Sequence, residues 1–287
     1  MVKDPRPPNV LGSRLQETVA LLDTIEPTMN AVRLGIPSTQ GTWDLCTSVI
    51  KDQRYVRRWQ DAVSEELARI YSTPASRVGV TAAACVLDWY AYAPGFLVGA
   101  MFHIARRVPN VAPEVVAFRR NPVEHWISGT ALCDNRFWCL PDDPAADDKE
   151  AHVVGDEVAL AAIARAQVRN HADRFLASYD PGVRLPRRAL TGVFFDSLDS
   201  GPWIAEPLAP GVSCIDSSRL LLPGRADHFT DQSKLYELTD LKGRSHISRR
   251  RVACCESYRI EPDGAGCFDC PRTSDNRRTE LATNFPD

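Results

Sequence analysis

The stretch VGVTAAACVLDWYAYAPGFLVGAMFHIA, residues 78–105, decides the kind of fold this chain has. It is long and apolar enough to raise the question of a membrane span. Asp88 lies inside it and the pair Pro94-Gly95 interrupts it. Proline removes a backbone donor and crowds the preceding turn. The pattern therefore predicts two buried helices joined at that break, the first ending before Pro94, and no transmembrane span. At 287 residues the chain can bury one large core or two ordinary ones. Its net charge of −3 gives no global basic field and no reason to expect a nucleic-acid partner. The opening MVKDPRPPNV lacks an apolar h-region, so the expected location is the cytoplasm, with the inner face of the membrane as a peripheral site.

Outward from this stretch the pattern is mostly helical. Ser13 and Gln16 resemble a capping box ahead of Leu15, Val19, Leu22 and Ile25. Residues 54–72 place Trp59, Val63, Leu67 and Ile70 on one face, and Thr73-Pro74 reads as a cap and first helical position. From about residue 113 the period shortens. EVVAFRR, HWISGTAL and RFWCLP read as strands of a small antiparallel sheet, with a hairpin turn at Asp134-Asn135 between Cys133 and Cys139. PDDPAADDKEA then reads as an acidic surface loop.

Helical pattern returns at 156–178 behind Asp156, and again from Pro186 until DSGPW ends it. A short helix is expected over 231–241, and the polar tail after Pro271 is expected to fray. The predicted fold is α+β and mainly helical. A helical and mixed domain spans 1–241, and a short Cys-rich iron–sulfur module spans 242–287. G-x-G-x-x-G, the P-loop, H-E-x-x-H and G-x-S-x-G are all absent, so the chain carries no nucleotide, flavin or hydrolase signature.

The chemistry concentrates in that module. Cys254, Cys255, Cys267 and Cys270 are four of the nine cysteines. A disulfide between Cys254 and Cys255 is disfavoured, because adjacent Cα atoms lie about 3.8 Å apart, below the usual disulfide range, and cross-pairing with Cys267 and Cys270 is geometrically possible but runs against a cytoplasmic location. A structural zinc suits Cys267-x-x-Cys270, but zinc half-sites separate their ligands by two to four residues and here Cys254 and Cys255 touch. A [2Fe–2S] cluster has two metals, so adjacent side chains can diverge and both ligate. Pro262, Asp263, Gly264 and Gly266 would turn the chain back to close the site. Pro271, directly after the last cysteine, matches ferredoxin-type endings.

With a tyrosine, Tyr258, three residues after the second cysteine and a basic run before the first, this pattern resembles the C-terminal motif of the FhuF-like ferric-siderophore reductases. VRNHADRFLASY and RRALTGVFFDSLDSG look like that family's His-containing helix and the helix after it. The inner spacing is eleven residues where familiar members have ten, and Phe268 stands where Gly is common. The resemblance implies a [2Fe–2S] cluster on the four cysteines and one-electron reduction of a ferric siderophore, of hydroxamate type. With no flavin or nicotinamide motif, an external ferredoxin or reductase must supply the electron. A redox or iron sensor, an electron-transfer protein without siderophore turnover, and a zinc module are the alternatives.

Arg249, Arg250, Arg251 and Arg259 belong to a segment, 243–272, with six arginines against four acidic residues. They would balance a reduced cluster or dock an anionic partner, or simply solvate a surface turn. His171 reads either as a substrate contact or as a satisfied histidine among apolar neighbours. Arg187, Arg188 and Trp203 are weaker candidates for lining a pocket. Cys85, in the Ala-rich stretch, reads as packing.

Overall fold

The computed structural model describes residues 14–25, 31–38, 42–225, 229–261, 264 and 266–285. The elements run α1 (Arg14–Leu22), β1 (Ala31–Leu34), β2 (Trp43–Leu45), α2 (Cys46–Lys51), α3 (Tyr55–Ile70) and α4 (Ala75–Ala105). Next come β3 (Val108–Pro109), β4 (Val116–Arg120), β5 (Ile127–Leu132), β6 (Phe137–Cys139), β7 (Ala151–Val153), α5 (Glu157–Leu176) and α6 (Arg187–Ala205). The chain closes with α7 (Cys214–Leu221), β8 (Leu235–Thr239), β9 (Ser245–Arg249) and α8 (Asp275–Thr283). The class is mainly helical α+β. The Ser13 cap and the residues Pro262 and Asp263 lie outside the described residues.

Residues 75–105 form one helix of 31 residues, not two, and Pro94 lies inside it. The Pro-Gly pair marks a close helix–helix approach instead of a break. A Cβ on Gly95 would sit 2.5 Å from Ser197 Cβ, and one on Gly201 within 2.6 Å of the Gly99 backbone. Packing against α6 outweighs the lost hydrogen bond at Pro94. Likewise α6 runs through Gly201-Pro202 to Ala205 rather than ending at DSGPW. By length and composition α4 would cross a membrane, yet 78% of its apolar window is buried inside the protein. Tyr90, Leu97 and Phe102 on α4 meet Trp59, Phe118, Phe175 and Phe194 in the core.

The sheets are mixed. One has the order β1-β5-β4-β2 with β1 and β5 parallel; another has β3-β6-β7 with β6 and β7 parallel; β8 and β9 form an antiparallel hairpin. Because β5 and β6 belong to different sheets, residues 134–135 make no hairpin turn. Cys133 is exposed, Cys139 is buried, and both are free. The loop after β6 is not simply solvated, since Asp143 is buried against Arg107 at 2.7 Å.

Three local expectations change. Pro74, not Thr73, stands at the start of α4, with no side-chain cap. The expected helix over 231–241 is strand β8, in which Leu235 is buried and the following residues alternate between half-buried and exposed. The tail is an ordered helix, capped by the Ser274 hydroxyl on the Arg277 N–H at 3.3 Å. The boundary at 241/242 falls in the turn of the β8–β9 hairpin, so the two segments share a sheet.

Candidate metal centre

The Cys-rich segment is fastened to the helical core by two carboxylates on one face of α6. Asp196, 2% exposed, accepts the Val252 and Ala253 N–H groups at 2.7 and 2.8 Å. Asp199, also buried, accepts Ser233 Oγ at 2.7 Å and the Lys234 N–H at 2.9 Å. Gly192, one turn before Asp196, leaves room for the segment, because a Cβ there would sit 3.0 Å from Val252 Cγ1. From α4, Thr81 Oγ1 donates to the Glu256 carbonyl at 3.0 Å. Cys254 and Cys255 are thus held on both sides.

Glu256 takes a left-handed conformation, φ 62°, which turns the chain sharply after the cysteine pair. Its N–H points at Cys254 Sγ, 3.4 Å away. The second arm is a tight turn in which the Cys270 N–H donates to the Cys267 carbonyl at 3.1 Å. Gly264 and Gly266 enter that turn at φ 59° and 73°, a region open to glycine, in keeping with the expected reversal.

These two arms bring the four thiols together. Cys254 Sγ lies 3.8 Å from Cys270 Sγ. Cys255 neighbours Cys254 and Cys267, and Cys267 neighbours Cys270, closely enough that the four acidities are coupled: mutual thiol interactions push Cys254 and Cys267 up and Cys255 and Cys270 down. Cys267 is exposed, Cys254 and Cys255 are half-buried, and Cys270 is buried. Cys85 on α4 faces Cys255; burial first, then the Cys255 charge, pushes its thiol up, as expected of a packing cysteine.

The flanking arginines are already balanced by carboxylates. Buried Arg249 donates to Asp269 Oδ2 at 2.7 Å and to the Asp196 carbonyl at 2.9 Å, with its guanidinium 5.2 Å over the Trp203 ring. Arg251 pairs with Asp88 on α4 and stands 3.6 Å from Asp196. Arg250 pairs with Asp275, and Arg259 with Glu256 at 2.6 Å. Burial pushes the Asp196 carboxyl up to about 6 against the pull of Arg251 and Arg249. Asp269 is also raised by burial, but Arg249 and Arg251 together hold it below the usual carboxylate range. These arginines build the site's frame; they are not a free basic patch.

No protein-family model, curated protein or solved structure matches the chain.

The donor set fits a [2Fe–2S] cluster in kind: four thiols and no competing ligand among them. Two sulfurs on one tetrahedral ion, with bonds of about 2.3 Å, stand about 3.8 Å apart. Cys254 and Cys270 already have that separation. Among the described residues, no group of three or more His, Cys, Asp or Glu side chains stands in position to hold one metal ion. The sulfurs are neighbours without forming a ready-made one-ion site.

His171 is not part of this centre. It is fully buried, with Nδ1 2.6 Å from the Val111 carbonyl and Nε2 2.9 Å from the Tyr90 hydroxyl. The carbonyl accepts only, so Nδ1 carries the proton and Nε2 accepts from Tyr90. This is a satisfied core histidine that no substrate reaches. Arg187 and Arg188 are exposed, and Arg188 pairs with Asp231 at 3.1 Å.

The residue beside the thiols that sequence reasoning missed is Arg278 on α8. It is fully buried. Its guanidinium donates to the carbonyls of Arg249 (3.2 Å), Phe268, Cys270 (3.1 Å) and Thr273 (3.1 Å). Among the described residues no carboxylate pairs with it. Ser274 followed by Asp275 was a readable helix start, but nothing in the sequence says which side of α8 turns inward.

Proposed function

We propose that the chain holds a [2Fe–2S] cluster on Cys254, Cys255, Cys267 and Cys270 and acts as a one-electron reductase of ferric siderophores in the cytoplasm. The observation that carries this reading is the convergence of two cysteine pairs from separate turns, with Cys254 Sγ and Cys270 Sγ at 3.8 Å. When bound, such a cluster supplies a single electron. The substrate is Fe(III) held by hard oxygen ligands, of hydroxamate type by resemblance. One electron makes it Fe(II), which those oxygens hold far less tightly, and the iron leaves.

The chain's own residues prepare this. Asp196 and Thr81 fix the backbone around Cys254 and Cys255, so the sulfurs start close to their working positions. The Glu256 N–H, 3.4 Å from Cys254 Sγ, is a backbone donor already aimed at that sulfur. Exposed Cys267 puts one ligand at the surface, where a chelate too large to enter the protein can approach. An external ferredoxin or reductase supplies the electron.

Anaerobically purified protein should absorb in the visible and contain iron and sulfide, and Cys254→Ser should bleach it while leaving the helices folded. Pre-reduced protein should be reoxidised by ferric hydroxamates at chelate-dependent rates. Colourless protein with stoichiometric zinc refutes the cluster. A coloured protein that no chelate reoxidises faster than oxygen does is a sensor or carrier, and refutes the reductase.

A further inference from the structure

A cleft of about 1010 Å³ lies between α3 and the face formed by β2, β4 and β5, and shares no residue with the thiol segment. Three arginines line it, Arg58, Arg119 and Arg120, against a single carboxylate, Asp44. On a chain whose net charge is −3, this is a local reversal of sign.

Arg119 and Arg120 are adjacent in β4, and successive strand residues ordinarily point to opposite faces. Here the register with β5 shifts between those two residues, a bulge of the kind that re-aims a side chain, and both line the cleft. His125, in the turn between β4 and β5, also lines the cleft and holds a left-handed backbone, φ 65°.

The arginines differ in what they already bind. Arg58 pairs with Asp52 at 2.5 Å in the open. Arg119 lies 5.5 Å over the Trp43 ring and donates to Ser128 at 3.2 and 3.3 Å. Arg120 makes no hydrogen bond or ion pair with the described residues. Its Nε is buried without a partner, and its guanidinium is fixed 5.2 Å from the Tyr55 ring and 5.3 Å from the Trp59 ring. Asp44, the one carboxylate lining the cleft, forms no ion pair with it and instead accepts the Tyr55 hydroxyl at 2.6 Å. A guanidinium fork held on two aromatic rings and lacking a counter-ion matches a planar or tetrahedral oxyanion.

We propose that this cleft binds a small organic anion through its carboxylate or phosphate groups, with Arg120 as the fork and Arg119 and Arg58 as flanking charges. The site stands independently of the thiol centre.

Calorimetric titration of the full chain tests it with two probes, citrate and inorganic phosphate, at low and at physiological salt. One of them should bind, more weakly as salt rises, and the tighter one names the group recognised. Arg120→Met should weaken binding at least about tenfold, a loss of about 1.4 kcal/mol, while Arg188→Met, on another surface, leaves it unchanged. Should Arg120→Met fail to fold by circular dichroism, Arg58→Gln should weaken binding several-fold. No heat from either anion up to about 10 mM, or an affinity unmoved by the cleft variant that folds, overturns the proposal.

Discussion

Replacing Arg278 by Met removes the clamp beneath the ligand turn while keeping an unbranched apolar stem. Four carbonyls, from Arg249, Phe268, Cys270 and Thr273, lose their donor. Hydrogen bonds to a charged group contribute about 1.5–3 kcal/mol each. The turn lies near the surface, so the carbonyls partly rehydrate when it opens, and about 1 kcal/mol each is a fair net value. The total, about 4 kcal/mol, is a factor of about a thousand in the opening equilibrium of residues 267–273. The assay is site-resolved thiol labelling of metal-free protein, read by mass spectrometry. Cys270, 3% exposed, is the reporter, and core Cys46 and Cys139, both 0% exposed, are internal references. Cys270 should label two to three orders of magnitude faster in the variant, with Cys46 and Cys139 unchanged. A Cys270 rate within about threefold of the parent would mean that something other than Arg278 holds the turn. Parallel acceleration of the core cysteines would mean that the clamp supports the whole fold rather than the site.

Acid should weaken the fold through His171. Burial, the largest cause, lowers its pKa from 6.5 to about 4. Its stabilising contribution is therefore complete above pH 6.5 and is lost as pH falls towards 4. The difference is worth about 3 kcal/mol. Urea midpoints at pH 7 and pH 4.5 should fall by less in His171→Gln than in the parent, and equal falls refute the assignment. At the helix crossing, Gly201→Ala drives a Cβ within 2.6 Å of the Gly99 backbone, which cannot rotate away. A loss of about 3 kcal/mol, or roughly 6–12 °C in melting temperature, is expected; a shift under about 2 °C would show that α4 and α6 can separate without penalty.

What the sequence disclosed, and what it hid, divides along the range of the interactions. The strands around Phe118, Ile127 and Phe137 and the Asp156 cap of α5 are short-range patterns, and they stand as read. Pro94 and Pro202 misled because a helix-breaking propensity of a few kcal/mol is a local quantity. The glycine-to-glycine contact that overrides it joins residues a hundred positions apart. The same holds at the site. The four cysteines announce themselves by spacing, but the carboxylates that hold them, Asp88 and Asp196, sit on distant helices. The one available signal was a charged residue within an apolar run, DWYAY and VFFDSLDS. The arginines were legible as charge and illegible as structure, since their partners come from five separate segments.

The two carboxylates on α6 have a mechanical consequence. Asp199 grips the chain just before β8, and Asp196 grips it just after β9, so the hairpin between them is a loop fastened at both ends to one rigid rod. The tip, residues 240–244, is tied in turn to α8, where the Leu241 N–H donates to Thr283 Oγ1 at 3.0 Å and Arg244 donates to the Thr283 carbonyl at 2.8 Å. A force applied there divides between α6, which holds the chain before Cys254, and α8, whose Arg278 holds the Cys270 carbonyl. The hairpin tip and both arms of the thiol site are therefore loaded together.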